Sequence, residues 1–157
     1  ELFEPLSVTT EYTAEGARLV HSELRMQNSE LKMDFTHCPD IAQTMAVTCG
    51  MLGVPFTLEG IHSLRIKETD RVAALITELR KLGYGLRAEG DKRLVWDGER
   101  TEPSASPTIA TYDDHRMAMA FAPAALCHED LTIENPEVVS KSYPGFWKDL
   151  EQLTNDN

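Results

Sequence analysis

Five short matches recur at one spacing in this chain, and that recurrence limits its fold more than any single residue does. Ala14-Glu15-Gly16 returns as Ala88-Glu89-Gly90, 74 residues on, and Arg18-Leu19-Val20 returns as Arg93-Leu94-Val95, 75 on. Asp40 and Asp114 open two stretches rich in Ala and Met, Met45-Ala46 matches Met119-Ala120, and Lys67 matches Lys141, all at an offset of 74. Self-similarity at a fixed offset is the mark of a supersecondary unit used more than once.

Hydrophobic patterning supplies the content of that unit. Leu31 to Phe35 alternates as a half-buried strand. Pro39-Asp40 starts a helix that runs to about Leu52, with a carboxylate in the first turn, where the helix dipole favours it. Gly53 ends it, and Pro55 to Ile61 reads as the next strand. Val72, Leu75, Ile76, Leu79 and Leu82 form an apolar stripe at helical spacing from Thr69 or Asp70 onward. Two short strands, Leu86–Glu89 and Arg93–Trp96, come next around Gly90-Asp91. The expected unit is therefore β-α-β-α-β-β, an α/β arrangement of the α+β type with helices on small mixed sheets. A second copy predicts a strand at 108–111, a helix from Asp114 to about Leu126, a strand at 131–134 and a helix from Pro144 to about Leu153. The expected division is 1–29 as the closing hairpin of a preceding unit, 30–98 as a complete unit, and 105–157 as a last unit without its hairpin. A chain that starts mid-unit is expected to be a fragment.

Composition narrows the function classes. The 157 residues carry 15 Lys and Arg against 26 Asp and Glu, a formal charge of -11, which disfavours binding to a phosphate backbone. Cys38, Cys49 and Cys127 form no C-x-x-C pair, so a reducing, cytoplasmic setting is expected. No apolar run approaches the roughly 20 residues of a membrane span. Nucleic-acid and membrane partners are not expected.

Two segments concentrate charge, and the first goes against the acidic trend. Leu64-Arg65-Ile66-Lys67-Glu68-Thr69-Asp70-Arg71 places three cations and two acids at a strand-to-helix junction. A solvated helix start, capped by Thr69, would explain a generic charge cluster of this kind. Lysine and arginine at such a junction also suit a phosphorylated or carboxylated ligand, and a carboxylate among cations can pass protons. Asp113, Asp114, His115 and Arg116 precede the buried-type run Met117-Ala118-Met119-Ala120, so they sit where helix N–H groups attract anions. Plain capping by an aspartate is the simpler account of that tetrad. No second histidine lies at metal-ligand spacing, so no metal is expected. Lys141, in Ser140-Lys141-Ser142-Tyr143-Pro144, gains weight only as the repeat partner of Lys67.

Leu64–Arg71 (LRIKETDR), Asp114–Ala120 (DHRMAMA) and Ser140–Pro144 (SKSYP), with Cys38-Pro39-Asp40 ahead of them, together resemble the EPSP synthases, 3-phosphoshikimate 1-carboxyvinyltransferases. The resemblance runs from about residue 10 to residue 153. It implies the enolpyruvyl transferase fold, in which each of two domains is built from three such units, and it makes this chain the C-terminal part of the second domain. The partner it implies is a missing N-terminal domain of the same polypeptide. The reaction it implies moves the enolpyruvyl group of phosphoenolpyruvate to the 5-hydroxyl of shikimate 3-phosphate and releases phosphate, in the pathway to chorismate and the aromatic amino acids. That chemistry asks for acid–base groups and cations and for neither cofactor nor metal. By resemblance, Asp40 holds the shikimate hydroxyls and acts as base, and Glu68 takes part in proton transfer at the methylene carbon. Arg71, Arg116 and Lys141 bind phosphoenolpyruvate, Lys67 reaches the shikimate ligand, and His115 lines the pocket. Ser63 stands where some relatives place an asparagine on the shikimate phosphate, and it is left out of the site. The alternatives are a non-catalytic module on the same fold and the sister enzyme acting on a UDP-sugar. The cations of the site are expected to concentrate at unit ends facing the missing domain.

Overall fold

The computed structural model describes residues 2–22 and 30–155. A 3-10 turn at Glu4–Leu6 buries Leu6 in the main core and leads to a hairpin of β1 (Val8–Thr13) and β2 (Gly16–His21). Next come β3 (Leu31–Asp34), a 3-10 turn (Pro39–Ile41), α1 (Ala42–Leu52), β4 (Phe56–Glu59), a 3-10 turn (His62–Ile66), α2 (Arg71–Lys81), β5 (Arg87–Glu89) and β6 (Arg93–Trp96). These four strands form one mixed sheet in the order β3-β4-β6-β5, with β3 parallel to β4 and the other pairs antiparallel. The β-α-β-α-β-β reading and the small mixed sheet therefore hold.

The core explains why the pattern was legible. Leu31 pairs with Phe56, which pairs with Trp96, and Leu58 pairs with Leu94; all five are buried. Val72, Leu75, Leu79 and Leu82 of the α2 stripe are buried in the same cluster as these sheet residues, with Ile76 partly so. Both faces of α1 are enclosed, since Met45, Ala46 and Cys49 are fully buried and Val47 nearly so. Small side chains suit a helix packed between α2 and α3.

The rest of the chain forms β7 (Thr108–Ile109), α3 (His115–Phe121), a 3-10 turn (Ala122–Leu126), β8 (Thr132–Ile133), a 3-10 turn (Pro136–Lys141) and α4 (Phe146–Asn155). Strands β7 and β8 pair in parallel, as β3 and β4 do. Helix α3 is shorter than the sequence suggests because Pro123 has no N–H to continue the α-helical ladder, and the chain tightens to 3-10 geometry there. Helix α4 begins after Pro144. Phe146 N donates to Tyr143 O, which leaves Pro144-Gly145 in the preceding turn.

One sequence match fails in space. In the first hairpin Thr13 pairs with Gly16, so Ala14-Glu15 form the turn; in the other, Glu89 pairs with Arg93, so Ala88 and Glu89 lie in the strand. The shared Ala-Glu-Gly triplets are not equivalent, and the slip from 74 to 75 reflects turns of different length. Residue 1, residues 23–29 in the expected first segment, and residues 156–157 lie outside the described residues.

Candidate active site

Asp70 caps α2 by accepting from Ala73 N, which leaves Arg71 as the first residue of the helix. Asp114 caps α3 in the same way, accepting from Arg116 N at 2.9 Å. Asp40 lies one short turn ahead of α1. Three helix starts from two units thus face one another, and the Arg71 guanidinium sits between them.

Arg71 is the centre of the cluster, with its side chain only 1% exposed. Its Nε donates to Asp114 Oδ2 at 2.6 Å and its Nη2 to Asp114 Oδ1 at 3.1 Å. Nη2 also donates to Glu68 Oε2 at 2.8 Å, and Nη1 donates to Asp40 Oδ1 at 2.9 Å. Asp114 is fully buried, so this two-point contact is a desolvated ion pair, the strongest geometry available to arginine. Asp40 and Asp114, the two aspartates that the 74-residue offset relates, grip the same guanidinium. Burial disfavours the Arg71 charge, but Asp114, Glu68 and Asp40 together more than offset it and hold the group protonated.

Around this centre stand the remaining predicted residues. Lys67 Nζ lies 3.1 Å from Asp40 Oδ1, and Arg116 Nη2 lies 3.5 Å from Asp40 Oδ2. Lys141 Nζ meets Asp113, at 2.7 Å from its carbonyl oxygen and 3.0 Å from its carboxylate. Partial burial pushes the Asp40 carboxyl up, yet the hydrogen bond from Lys67 and the charges of Arg116, Lys67 and Arg71 outweigh that and hold it below the ordinary carboxylate range. His115 Nδ1 is buried without a hydrogen-bond partner, so it has a bond to offer an incoming group. The structure therefore brings Asp40, Lys67, Glu68, Arg71, His115, Arg116 and Lys141 to one end of the fold.

The site is not an excess of positive charge: four cations, Lys67, Arg71, Arg116 and Lys141, are matched by four carboxylates, Asp40, Glu68, Asp113 and Asp114. The third cation of the Leu64–Arg71 segment, Arg65, turns away to Asp70 and to Gly90 O in the β5–β6 turn. Ligand-type atoms of Glu68, Asp114 and His115 lie within 4.8 Å of one another, but the two carboxylates are already paired with Arg71. Sequence reasoning places Asp113 and Asp114 at an anion-attracting helix start or as a plain cap and assigns neither to Arg71; the repeat partnership of Asp114 with Asp40 is the signal for that contact. Among the described residues no helix is long and apolar enough to cross a membrane.

The comparison with known proteins is consistent across distance. Residues 7–150 match the family described as EPSP synthase (3-phosphoshikimate 1-carboxyvinyltransferase). A 3-phosphoshikimate 1-carboxyvinyltransferase of Bacteroides fragilis (strain YCH46) is 54% identical over 152 residues, covering 97% of this chain and 37% of that protein. Proteins of the same name from Photobacterium damsela subsp. piscicida and Methanospirillum hungatei JF-1 are 40% identical over 130 residues and 37% over 123, covering 82% and 78% of this chain and 29% and 28% of theirs. The chain thus spans between about a quarter and little more than a third of the length of the curated relatives it matches. With that coverage and the site geometry together, the chain belongs to the EPSP synthase family.

Proposed function

We propose that this chain carries one side of an active site that transfers the enolpyruvyl group of phosphoenolpyruvate to the 5-hydroxyl of shikimate 3-phosphate, releasing inorganic phosphate. The observation that carries the reading is the meeting of Asp40, Glu68 and Asp114 on one buried arginine, rimmed by Lys67, Arg116 and Lys141. Both substrates are multiply anionic, and the transfer needs a proton removed from a hydroxyl and one delivered to a methylene carbon. Asp40, held ionised by its cations, accepts hydrogen bonds from the shikimate hydroxyls and takes the proton. Glu68, whose side chain is 44% exposed at the rim, handles the proton at the methylene carbon. Arg116 and Lys141, more open to solvent than Arg71, are the first cations to meet the phosphate and carboxylate of phosphoenolpyruvate. Arg71 has four of its five N–H groups committed to carboxylates, so it keeps one on Nη1 for a ligand and otherwise fixes the acids in place. Lys67 reaches the shikimate ligand, and His115 offers its unpartnered Nδ1 to the pocket.

We read residues 30–98 and 105–157 as two copies of one unit and residues 1–29 as the end of another. The remainder of a protein of the relatives' length supplies the facing half of the site and excludes water from it. Three free thiols support a cytoplasmic setting. Phosphate release, measured with both substrates present, tests the proposal. A full-length protein containing this chain should turn over, and the 157-residue chain alone should run more than about a hundredfold slower, since several charge contacts worth about 2–4 kcal/mol each are lost. No release by the full-length protein would overturn the reaction. Turnover by the chain alone within that hundredfold would overturn the division of the site.

A further inference from the structure

Glu78 is a fully buried carboxylate that the proposed chemistry does not use. It lies on the same face of α2 as Arg71 and Leu75, an acid set into an apolar stripe. Its Oε1 accepts from the Tyr112 hydroxyl at 2.7 Å, and its Oε2 accepts from Ala110 N at 3.0 Å and from Lys81 Nζ at 2.6 Å. Lys81 Nζ also donates to Thr108 O at 2.8 Å. Helix α2 thus holds residues 108–112 at three points, through two side chains.

The turn at the end of that stretch makes the hold consequential. Tyr112 and Asp113 both have φ near +56°, a left-handed conformation that side chains with a Cβ adopt reluctantly. Two such residues in a row persist only where neighbours over-determine them. The sharp turn they make presents the Asp113 carbonyl and carboxylate to Lys141 and brings Asp114, back in extended geometry, to the Arg71 guanidinium. Burial, and after it the Glu78 hydrogen bond and charge, push Tyr112 up to about 12, so its hydroxyl stays a donor throughout the working range.

We propose that Glu78 is a positioning residue: through the Tyr112 hydroxyl and the Ala110 amide it fixes the left-handed Tyr112–Asp113 turn, and so sets Lys141 and the Arg71–Asp114 pair in register with each other. It touches no substrate. The kinetic consequence rests on the function proposed above; the placement of Lys141 does not. A purely structural Glu78, pairing Lys81 inside the fold, would affect stability and leave the per-molecule properties of Lys141 alone.

Tyr112→Phe and Glu78→Gln, made in a full-length protein containing this chain, separate the two. Tyr112→Phe removes only a hydroxyl and serves if Glu78→Gln fails to fold. Trace acetylation read by mass spectrometry should show Lys141 becoming more reactive in both variants while exposed Lys148 is unchanged. In steady state, KM for phosphoenolpyruvate should rise about 10- to 100-fold, as expected for a cation displaced by about an ångström, with KM for shikimate 3-phosphate within about threefold of the parent. Unchanged Lys141 reactivity in folded Tyr112→Phe would overturn the proposal, as would equal rises in both KM values. If the parent protein turns over neither substrate, the proposed reaction fails by itself and the acetylation result still decides the role of Glu78.

Discussion

Replacing Arg71 with methionine should be among the most damaging single changes available to this fold. The substitution keeps most of the side-chain volume and removes the charge that three carboxylates share. Asp114, at 0% exposure, would be left as an unpaired buried anion, and breaking a desolvated pair in this way costs about 3–5 kcal/mol. Asp40 and Glu68 are 36% and 44% exposed, so water replaces their lost partner and each adds only about 0–1 kcal/mol. The expected loss is about 4 kcal/mol, a large part of the roughly 5–15 kcal/mol that holds a domain together. Urea unfolding read by the fluorescence of Trp96, buried against Phe56 and Tyr84, measures it directly. The deficit should also shrink on acidification. Desolvation disfavours the charged form of a carboxylate stripped of its partner, so conditions that protonate it relieve the penalty. Adding Asp114→Asn to Arg71→Met should recover at least about 2 kcal/mol, since no buried charge then remains. A loss below about 1 kcal/mol at pH 7, or a deficit that is the same at pH 4, would refute the view that Arg71 and Asp114 are a desolvated pair.

The same contacts lead to other expectations. In a full-length protein containing the chain, Lys141→Met should weaken phosphoenolpyruvate binding by roughly 2–4 kcal/mol in titration calorimetry, whereas Lys148→Met on α4 should leave it unchanged; equal effects would mean that only general charge matters. Asp40 resists burial and is held low by Lys67, Arg116 and Arg71, so it stabilises the fold above its unfolded value of about 3.9 and loses that contribution as pH falls through the folded one. Asp40→Asn should therefore lose less stability than the parent between pH 4 and pH 2, measured by urea midpoints. Gly60, at φ +71°, has no room for a Cβ beside the Thr36 backbone nitrogen, the Thr36 hydroxyl and Asp34, and Gly60→Ala should cost at least about 1–3 kcal/mol by thermal unfolding.

The parts of this molecule that sequence reasoning reached are those where periodicity carries the information. The α2 stripe and the alternation of β3 each report burial, and each appears where expected. The 74-residue offset goes further, because it relates Asp40 to Asp114, which the fold then places on one guanidinium. What the hydrophobic pattern does not carry are local backbone effects that interrupt it. The length of α3 depends on one missing N–H at Pro123, and the unequal hairpins depend on turn geometry that similar triplets do not encode. Glu78 was invisible for another reason. Its partners Ala110 and Tyr112 lie more than 30 residues away, and the only local sign was an acid standing on an apolar face.

The balance of four cations and four carboxylates changes how such a site must take up an anion. A surplus of positive charge would attract a phosphate and hold it while leaving the acids as they were. Here every cation already has a carboxylate partner, so an incoming phosphate or carboxylate must compete with one. If it draws Lys67 and Arg116 away from Asp40, the influences that hold that carboxyl low are weakened while the burial that pushes it up grows. Its affinity for a proton then rises as the ligand binds. A carboxylate that is a poor base in the empty site becomes a better one in the filled site, without any change in its position. Arg71 cannot take part in that exchange to the same degree, because its contact with Asp114 is shut off from water on both sides. The cluster thus divides into a buried centre, which sets where the acids lie, and a more exposed rim, in which re-pairing of Lys67 and Arg116 would couple anion binding to proton transfer under the proposed function.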